Sequence, residues 1–133
     1  MPVKLIQLMD ASNLTVLVVD DDFFNVQVLQ AILENARFNV VPVYGGFEAI
    51  EKLSTEKIDL VLLDLLMPGI DGFQVLDFMK EDSRFSIIPV IVVSALTEYE
   101  HITKATEKGA KDYVTKPFIN SILLEKVQRL VGV

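Results

Sequence analysis

The sequence contains no cysteine, no tryptophan and a single histidine among its 133 residues. The lack of cysteine excludes disulfide bonds, thiolate catalysis and cysteine-ligated zinc, and it is typical of a reducing compartment, so we expect a cytoplasmic protein. No apolar run approaches the roughly 18–20 residues that a membrane-spanning helix needs. Residues 1–10 form a segment that is too short and too polar for a signal peptide.

Basic residues are also scarce, since 12 Lys and Arg stand against 19 Asp and Glu and give a formal net charge of −7. Nucleic acids and anionic membranes are bound through basic stripes or patches, whereas the basic residues of this chain are scattered. We therefore expect no direct nucleic-acid binding and no membrane partner. A hydrophobic content of 51% at this length is enough for one core and leaves no room for a second domain of ordinary size.

Short apolar runs rich in Val, Ile and Leu alternate with segments of helical periodicity. The pattern predicts strands over residues 15–19, 39–44, 60–63, 90–94 and 112–115, and helices over residues 24–34, 47–54, 73–80, 98–108 and 121–130. Strict alternation is typical of an α/β fold, here a three-layer, doubly wound (βα)5 sandwich around a five-stranded parallel sheet. Pro42 cannot donate a ladder hydrogen bond, so the second strand should lie at a sheet edge, in agreement with a flavodoxin-like strand order 2-1-3-4-5.

Three predicted strands end in residues that a phosphate-transfer site needs. Asp20, Asp21 and Asp22 follow the first strand, Asp64 follows the third and Lys116 follows the fifth. Because the carboxyl ends of parallel strands meet at one edge of a sheet, we expect these groups to converge. Clustered carboxylates repel one another unless a cation lies among them, and an oxygen-only cluster suits Mg²⁺. The sequence therefore predicts an acidic Mg²⁺ pocket with one lysine.

Several of these residues also have a simpler interpretation. Asp64 alone would fit a helix cap at a strand end, and Lys116 alone would fit a solvated lysine, although the proline that follows it constrains it locally. Asp22 is interpreted as the N-cap of the first helix, with a third outer carboxylate as the alternative. Tyr113 would fit a half-buried strand aromatic. His101 stands among charged residues on a polar helix and is interpreted as solvated.

Four motifs together resemble the receiver domain of two-component response regulators. They are VVDDD at residues 18–22, LDLLMPGIDG at 63–72, PVIVVSA at 89–95 and GAKDYVTKPF at 109–118, in the order and spacing of that family. The resemblance covers about residues 14–130. It implies an N-terminal extension over residues 1–13 and a receiver domain over residues 14–133, which acts in signal transduction and is not an enzyme except towards its own phosphorylation and dephosphorylation.

The resemblance implies a role for each acidic residue of the pocket. Asp64 would be the phosphoacceptor, taking a phosphoryl group from a phosphohistidine in a Mg²⁺-dependent reaction. Asp21 would bind the metal directly and Asp20 mainly through water, and the backbone carbonyl of Leu66 would be a further ligand beside Asp64. The apolar side chain of Leu66 would shield the phosphoryl group from water.

The resemblance also implies how the phosphoryl group is held and sensed. Lys116 and the hydroxyl of Ser94 would contact the phosphoryl oxygens, and phosphoryl transfer needs such charge neutralisation more than covalent help. Tyr113 would follow Ser94 by turning inward, which switches the face made by the fourth helix, fifth strand and fifth helix. The implied partners are a sensor histidine kinase or a histidine phosphotransfer protein, and an output domain or effector that the sequence does not identify.

Two other functions compete with a signalling receiver. The first is a small Mg²⁺-dependent hydrolase with an aspartyl-phosphate intermediate, similar to haloacid-dehalogenase-like phosphatases. That family has a second Asp two residues after the nucleophile, where this chain has Leu66. The second is a degenerate receiver that only binds proteins, which the full set of pocket residues disfavours.

Overall fold

The computed structural model describes residues 11–133, and its sheet has the strand order that the sequence predicts. Five parallel strands lie in the order β2-β1-β3-β4-β5: β1 (Thr15–Val19), β2 (Asn39–Val43), β3 (Leu60–Leu63), β4 (Val90–Ser94) and β5 (Asp112–Thr115). The helices are α1 (Phe23–Asn35), α2 (Gly46–Thr55), α3 (Gly72–Glu81), α4 (Tyr99–Glu107) and α5 (Asn120–Val131). The predicted doubly wound α/β fold is confirmed.

The N-terminal extension lies mostly outside the described residues. Its last three residues, Ala11–Asn13, form a short 3-10 turn, and the side chain of Ala11 is buried. The boundary at residue 14 between extension and receiver domain stays a prediction. None of the helices within residues 11–133 is long and apolar enough to cross a membrane.

Pro42 lies in an edge strand, as its missing N–H requires. It stands opposite Val18 in the ladder between β1 and β2, and the other side of β2 has no neighbouring strand in the described sheet. Strands β1, β3, β4 and β5 have the predicted bounds, and no boundary of the other elements differs from the predicted one by more than one residue. The predicted helix over residues 98–108 is wrong at both ends, because Glu98 has extended backbone and caps the start of α4, while Lys108 caps its end.

The sheet is buried on both faces, which explains why its strands read as continuous apolar runs. Leu17 and Val19 face one layer and Val16 and Val18 the other, as the two-residue period of a strand demands. The first layer contains α2, α3 and α4, and the second contains α1 and α5. The helices contribute very unequally, since α4 buries only Ala105.

Candidate functional site

The charged strand ends meet at the carboxyl edge of the sheet. In the register, Val19 at the end of β1 lies beside Leu63 at the end of β3, so the residues that follow, Asp20 and Asp64, become neighbours. Both carboxylates are buried, with 2% of Asp20 and 6% of Asp64 exposed. Burying two like charges side by side is costly unless a cation accompanies them.

Lys116 supplies that cation from the end of β5. Its Nζ lies 2.7 Å from Oδ2 of Asp20 and 3.2 Å from Oδ2 of Asp64, so one ammonium group bridges both carboxylates. The lysine side chain is only 18% exposed. A three-residue ionic cluster of this kind depends on its one cation, because removing Lys116 would leave two buried carboxylates without a partner.

Backbone N–H groups fix the second oxygen of each carboxylate. Oδ1 of Asp20 accepts a hydrogen bond from the N–H of Asp22 at 2.9 Å, and Oδ1 of Asp64 accepts one from the N–H of Leu66 at 3.3 Å. Both donors lie two residues after the acceptor, in the turn that leaves the strand. The turns therefore orient the carboxylates toward Lys116 and the space beside it.

The site shifts the pKa of two of its groups. Burial raises the pKa of Asp64, the charge of Lys116 opposes the shift, and the neighbouring charge of Asp20 adds to it. Burial alone would lower the pKa of Lys116, but its hydrogen bond to Asp20 and the charges of both carboxylates outweigh burial and raise it. The lysine therefore stays charged at neutral pH, while Asp64 holds its proton more tightly than a solvated aspartate does.

The acidic residues fit the ligand set expected for Mg²⁺. Asp20, Asp21 and Asp64 each offer one carboxylate oxygen, and these atoms all lie within 4.8 Å of one another. Oxygen-only ligands suit a hard divalent ion, which usually keeps several waters in its coordination shell. Asp21 is exposed, so water has access to this side of the cluster. The backbone carbonyl of Leu66 as a further ligand stays a prediction.

Ser94 and Tyr113 both contact the loop that follows β4. Ser94 is fully buried, and its Oγ accepts a hydrogen bond from the N–H of Leu96 at 3.2 Å. The hydroxyl of Tyr113 donates to the carbonyl oxygen of the same Leu96 at 2.6 Å. Burial raises the pKa of this tyrosine, so its hydroxyl keeps the proton that it donates. One loop residue thus links the two predicted switch residues.

Two other residues resolve alternatives left by the sequence. Asp22 is the N-cap of α1, because its Oδ1 accepts a hydrogen bond from the N–H of Asn25 at 3.1 Å. His101 lies outside the site, and only partly in solvent, with its ring 6.5 Å from that of Phe73. The interpretation of His101 as a simple solvated residue overlooked this packing against the neighbouring helix.

The close approach of Gly72 to Asp64 was not recognised from the sequence. A Cβ at position 72 would overlap the carbonyl oxygen of Asp64 and lie 2.7 Å from Cα of Leu65. Glycine therefore lets the start of α3 pack against the backbone that carries Asp64. The available signal was its place eight residues after Asp64, at the start of a helix capped by Asp71, whose side chain accepts from the N–H of Gln74.

Fold and site together define a doubly wound α/β domain with a buried acidic pocket at its sheet switch point. A family model described as the response regulator receiver domain matches residues 16–128. The chain therefore belongs to the family of response regulator receiver domains. The haloacid-dehalogenase-like alternative loses its support with this result.

Known relatives agree with that assignment. The protein PilH of Pseudomonas aeruginosa is 33% identical over 117 residues, which cover 88% of this chain and 97% of PilH. The response regulator PleD of Caulobacter vibrioides is 36% identical over 115 residues, which cover 86% of this chain and 25% of PleD. The chain thus spans only a quarter to about half the length of several relatives that it matches.

Solved structures have the same fold. The receiver domain of the sensor histidine kinase PA1611 from Pseudomonas aeruginosa superposes with a TM-score of 0.83 at 25% identity, covering 90% of this chain and 98% of that one. That structure has a magnesium ion coordinated in its active site cleft.

Proposed function

We propose that this receiver domain accepts a phosphoryl group on Asp64 from the phosphohistidine of a sensor histidine kinase or histidine phosphotransfer protein. A carboxylate oxygen of Asp64 attacks phosphorus, a P–O bond forms, and the electron pair of the broken P–N bond returns to the imidazole nitrogen. The product is an acyl phosphate, which is labile and therefore suited to a transient signal. The domain then catalyses only its own phosphorylation and dephosphorylation.

The observation that carries this proposal is the buried arrangement of Asp64, Asp20 and Lys116. A structural ion pair needs one acid and one base, whereas here Lys116 lies within 3.2 Å of two buried carboxylates. The proposed nucleophile, Asp64, is a buried carboxylate beside a fixed ammonium group. Such preorganised charge is worth most where the dielectric constant is low. A degenerate binding module would have no need of it.

Asp20, Asp21 and Asp64, with the backbone carbonyl of Leu66, would hold Mg²⁺. The ion supplies charge neutralisation for the phosphoryl oxygens when it is bound. Support comes from the oxygen donor set of this pocket and from the magnesium ion in the related PA1611 receiver. Lys116 would exchange one of its carboxylate contacts for a phosphoryl oxygen.

Ser94 and Tyr113 would transmit the change in the pocket to the surface. The Ser94 hydroxyl would donate to the phosphoryl group, which changes the loop at Leu96 that it now helps to hold. Because Tyr113 bonds to the carbonyl of Leu96, the loop and the tyrosine would move together and alter the face formed by α4, β5 and α5. We further propose a cytoplasmic location, no direct binding to nucleic acid or membrane, and an effector protein or output domain as the partner of the switched face.

Incubation with acetyl phosphate and Mg²⁺ tests the proposal without a donor kinase. Intact-mass measurement should show one added phosphoryl group that is stable in acid and labile in base. Asp64→Asn should abolish the labelling, whereas Asp59→Asn, at the opposite end of β3, should leave it intact. Equal labelling of wild type and Asp64→Asn would refute the assignment of the nucleophile.

A further inference from the structure

Helix α4 is attached to the domain by little apolar burial. Ala105 is its single buried residue, whereas α3 buries Val75, Leu76 and Met79 as well as its first glycine. Apolar burial is the main source of helix stability in a folded domain. Other contacts must therefore hold α4 in its described position.

Phe73 at the start of α3 makes the first of these contacts. The Nζ of Lys104 lies over the face of the Phe73 ring, 4.3 Å from its centroid. The His101 ring is tilted by 36° against the same ring, with 6.5 Å between the centroids. A cation this close to an aromatic face is attracted by the ring quadrupole. A partly buried aromatic side chain of α3 thus fixes one side of α4.

Two polar contacts hold the other end of α4. The Nζ of Lys108, the residue that caps α4, lies 2.8 and 3.0 Å from the two carboxylate oxygens of Asp77. The Nζ of Lys80 donates to the backbone carbonyl of Glu107 at 3.0 Å, where a helix end leaves carbonyls without partners. Both Asp77 and Lys80 belong to α3.

The contacts of α4 with other helices are one-sided. Within residues 11–133, every side-chain hydrogen bond and ion pair between α4, including its cap Lys108, and another helix goes to α3. The contact from β5 goes to the loop between β4 and α4, where the Tyr113 hydroxyl donates a hydrogen bond to the carbonyl oxygen of Leu96. The main polar contacts of α4 are therefore with α3. We name the α3 residues that contact α4, which are Phe73, Asp77 and Lys80, the α3 clamp.

We propose that the α3 clamp restrains α4 and sets how readily the α4–β5–α5 face rearranges on phosphorylation. The restraint itself is independent of the proposed function, and only its consequence for phosphorylation depends on that function. In this proposal the clamp contacts form in the unphosphorylated conformation and are broken in the phosphorylated one. A variant that lacks them therefore favours the phosphorylated conformation. By reciprocity the same factor favours phosphorylation.

Hydrogen-exchange mass spectrometry on the whole chain tests the restraint. Phe73→Leu keeps apolar volume and removes the aromatic face, and Asp77→Asn removes the charge that pairs with Lys108. Each change should speed amide exchange of the α4 peptides by about two- to fivefold, the range expected for losing one exposed ion pair or cation–π contact. Exchange in α2 should stay unchanged.

Matched variants separate a restraint from general destabilisation. Asp82→Asn removes the neighbouring ion pair with Arg84, which does not involve α4, and should leave α4 exchange as in wild type. Phe73→Tyr should keep wild-type exchange because it retains the aromatic face. Asp77→Lys and Lys108→Asp should each loosen α4, and their combination should restore most of the protection. Unchanged α4 exchange in Phe73→Leu and Asp77→Asn, or an equal rise in α2, would overturn the proposal.

The consequence for phosphorylation has its own measurement. At a fixed, limiting concentration of acetyl phosphate, the steady-state ratio of labelled to unlabelled protein should be about two- to fivefold higher in Asp77→Asn than in wild type. Faster α4 exchange with unchanged labelling would overturn the coupling and keep the restraint. If wild type takes no label at all, the proposed function fails, and the exchange data still decide whether the clamp exists.

Discussion

Polar side chains differ in burial and in their partners between the carboxyl edge and the amino edge of the sheet. At the carboxyl edge, Asp20, Asp64 and Ser94 are the buried polar residues of the described chain, each at or just after a strand end. At the amino edge, Asp59 is only partly buried, and its Oδ2 accepts a hydrogen bond from the N–H of Thr15 at 2.8 Å. The first edge crowds like charges together, while the second satisfies a backbone donor.

This difference separates the part of the domain to which we assign chemistry from the part that serves folding. The carboxylate of Asp59 stabilises the start of β1 and can stay partly hydrated. Asp20 and Asp64 lose their hydration and depend on Lys116 to offset the cost. A fold selected only for stability would place apolar residues there, so the carboxyl edge is where we expect stability to be sacrificed for reactivity.

The largest effect should come from removing the cation of the carboxyl edge. Lys116→Ala should slow labelling by acetyl phosphate by about 10²–10³-fold, the cost of losing one preorganised group that stabilises transition-state charge. Lys57→Ala, which removes an exposed lysine near Asp59, should not change the rate. Time courses by intact mass give both values.

Mg²⁺ affinity should be unchanged or higher in Lys116→Ala, because a competing positive charge has gone. Calorimetric titration with MgCl₂ measures it. Collapse of Mg²⁺ binding in a folded Lys116→Ala protein would contradict our assignment of the lysine to the phosphoryl group.

The next effect is the stabilisation of the carboxyl edge by metal. Mg²⁺ at a hundredfold excess over Kd should stabilise the native state by about 2.7 kcal/mol, if it binds only the folded protein. Asp21→Ala should remove most of the resulting rise in Tm and should raise the Tm of the metal-free protein, since it relieves repulsion with Asp20 and Asp64. Thermal melts with EDTA and with MgCl₂ measure both effects. A metal-free Asp21→Ala protein less stable than wild type would show that Asp21 has a structural role first.

The arrangement of the carboxyl edge was largely predictable from the sequence. Period-two patterns and buried apolar runs define the strands, Pro42 marks the edge strand, and parallel topology then places Asp20 and Asp64 together. These features are local or follow from topology. Burial of Asp20 instead of Asp21 followed only from the exact end of β1, which fixes the register of the acidic triplet.

Contacts between distant side chains could not be predicted in the same way. The bridge from Lys116 to Asp20 joins residues 96 positions apart, and it depends on side-chain rotamers that no local pattern encodes. The same holds for Phe73 against Lys104, which requires the relative tilt of two helices. Gly72 was visible as a turn residue, but its contact with Asp64 requires the packed backbone.

A smaller effect is expected at the amino edge. Asp59→Ala should lower the free energy of unfolding by about 1 kcal/mol, because the N–H of Thr15 loses its partly buried acceptor. It should leave labelling by acetyl phosphate and the Mg²⁺-dependent rise in Tm unchanged. Urea denaturation measures the stability, and intact mass measures the labelling. A labelling defect in a folded Asp59→Ala protein would break the separation of the two edges.

The smallest effects concern how pH acts on one aspartate from each edge. Burial raises the pKa of Asp64, and Lys116 offsets part of that shift, so the folded protein binds this proton more tightly than the unfolded chain, whose aspartate titrates near 3.8. At pH values between 3.8 and the raised pKa of Asp64, unfolding releases a proton. The contribution of protonated Asp64 to stability is therefore lost as the pH rises through this range. Asn does not titrate, so metal-free Asp64→Asn should gain stability over wild type across this window and keep a constant advantage above it.

Asp82, in the loop at the amino edge between α3 and β4, should show the opposite sign. Hydrogen bonds from the Arg84 side chain and backbone lower the pKa of Asp82, so its ionised form stabilises the folded state above the ordinary pKa and loses that contribution as pH falls through the lowered value. Asp82→Asn should therefore lose stability relative to wild type as pH rises. Thermal melts of metal-free wild type, Asp64→Asn and Asp82→Asn from about pH 3 to about pH 7 measure how the stability of each protein changes with pH. Thermodynamic linkage gives the expected sign of each change. Parallel curves for Asp64→Asn and Asp82→Asn would show that burial does not distinguish the carboxyl edge from the amino edge.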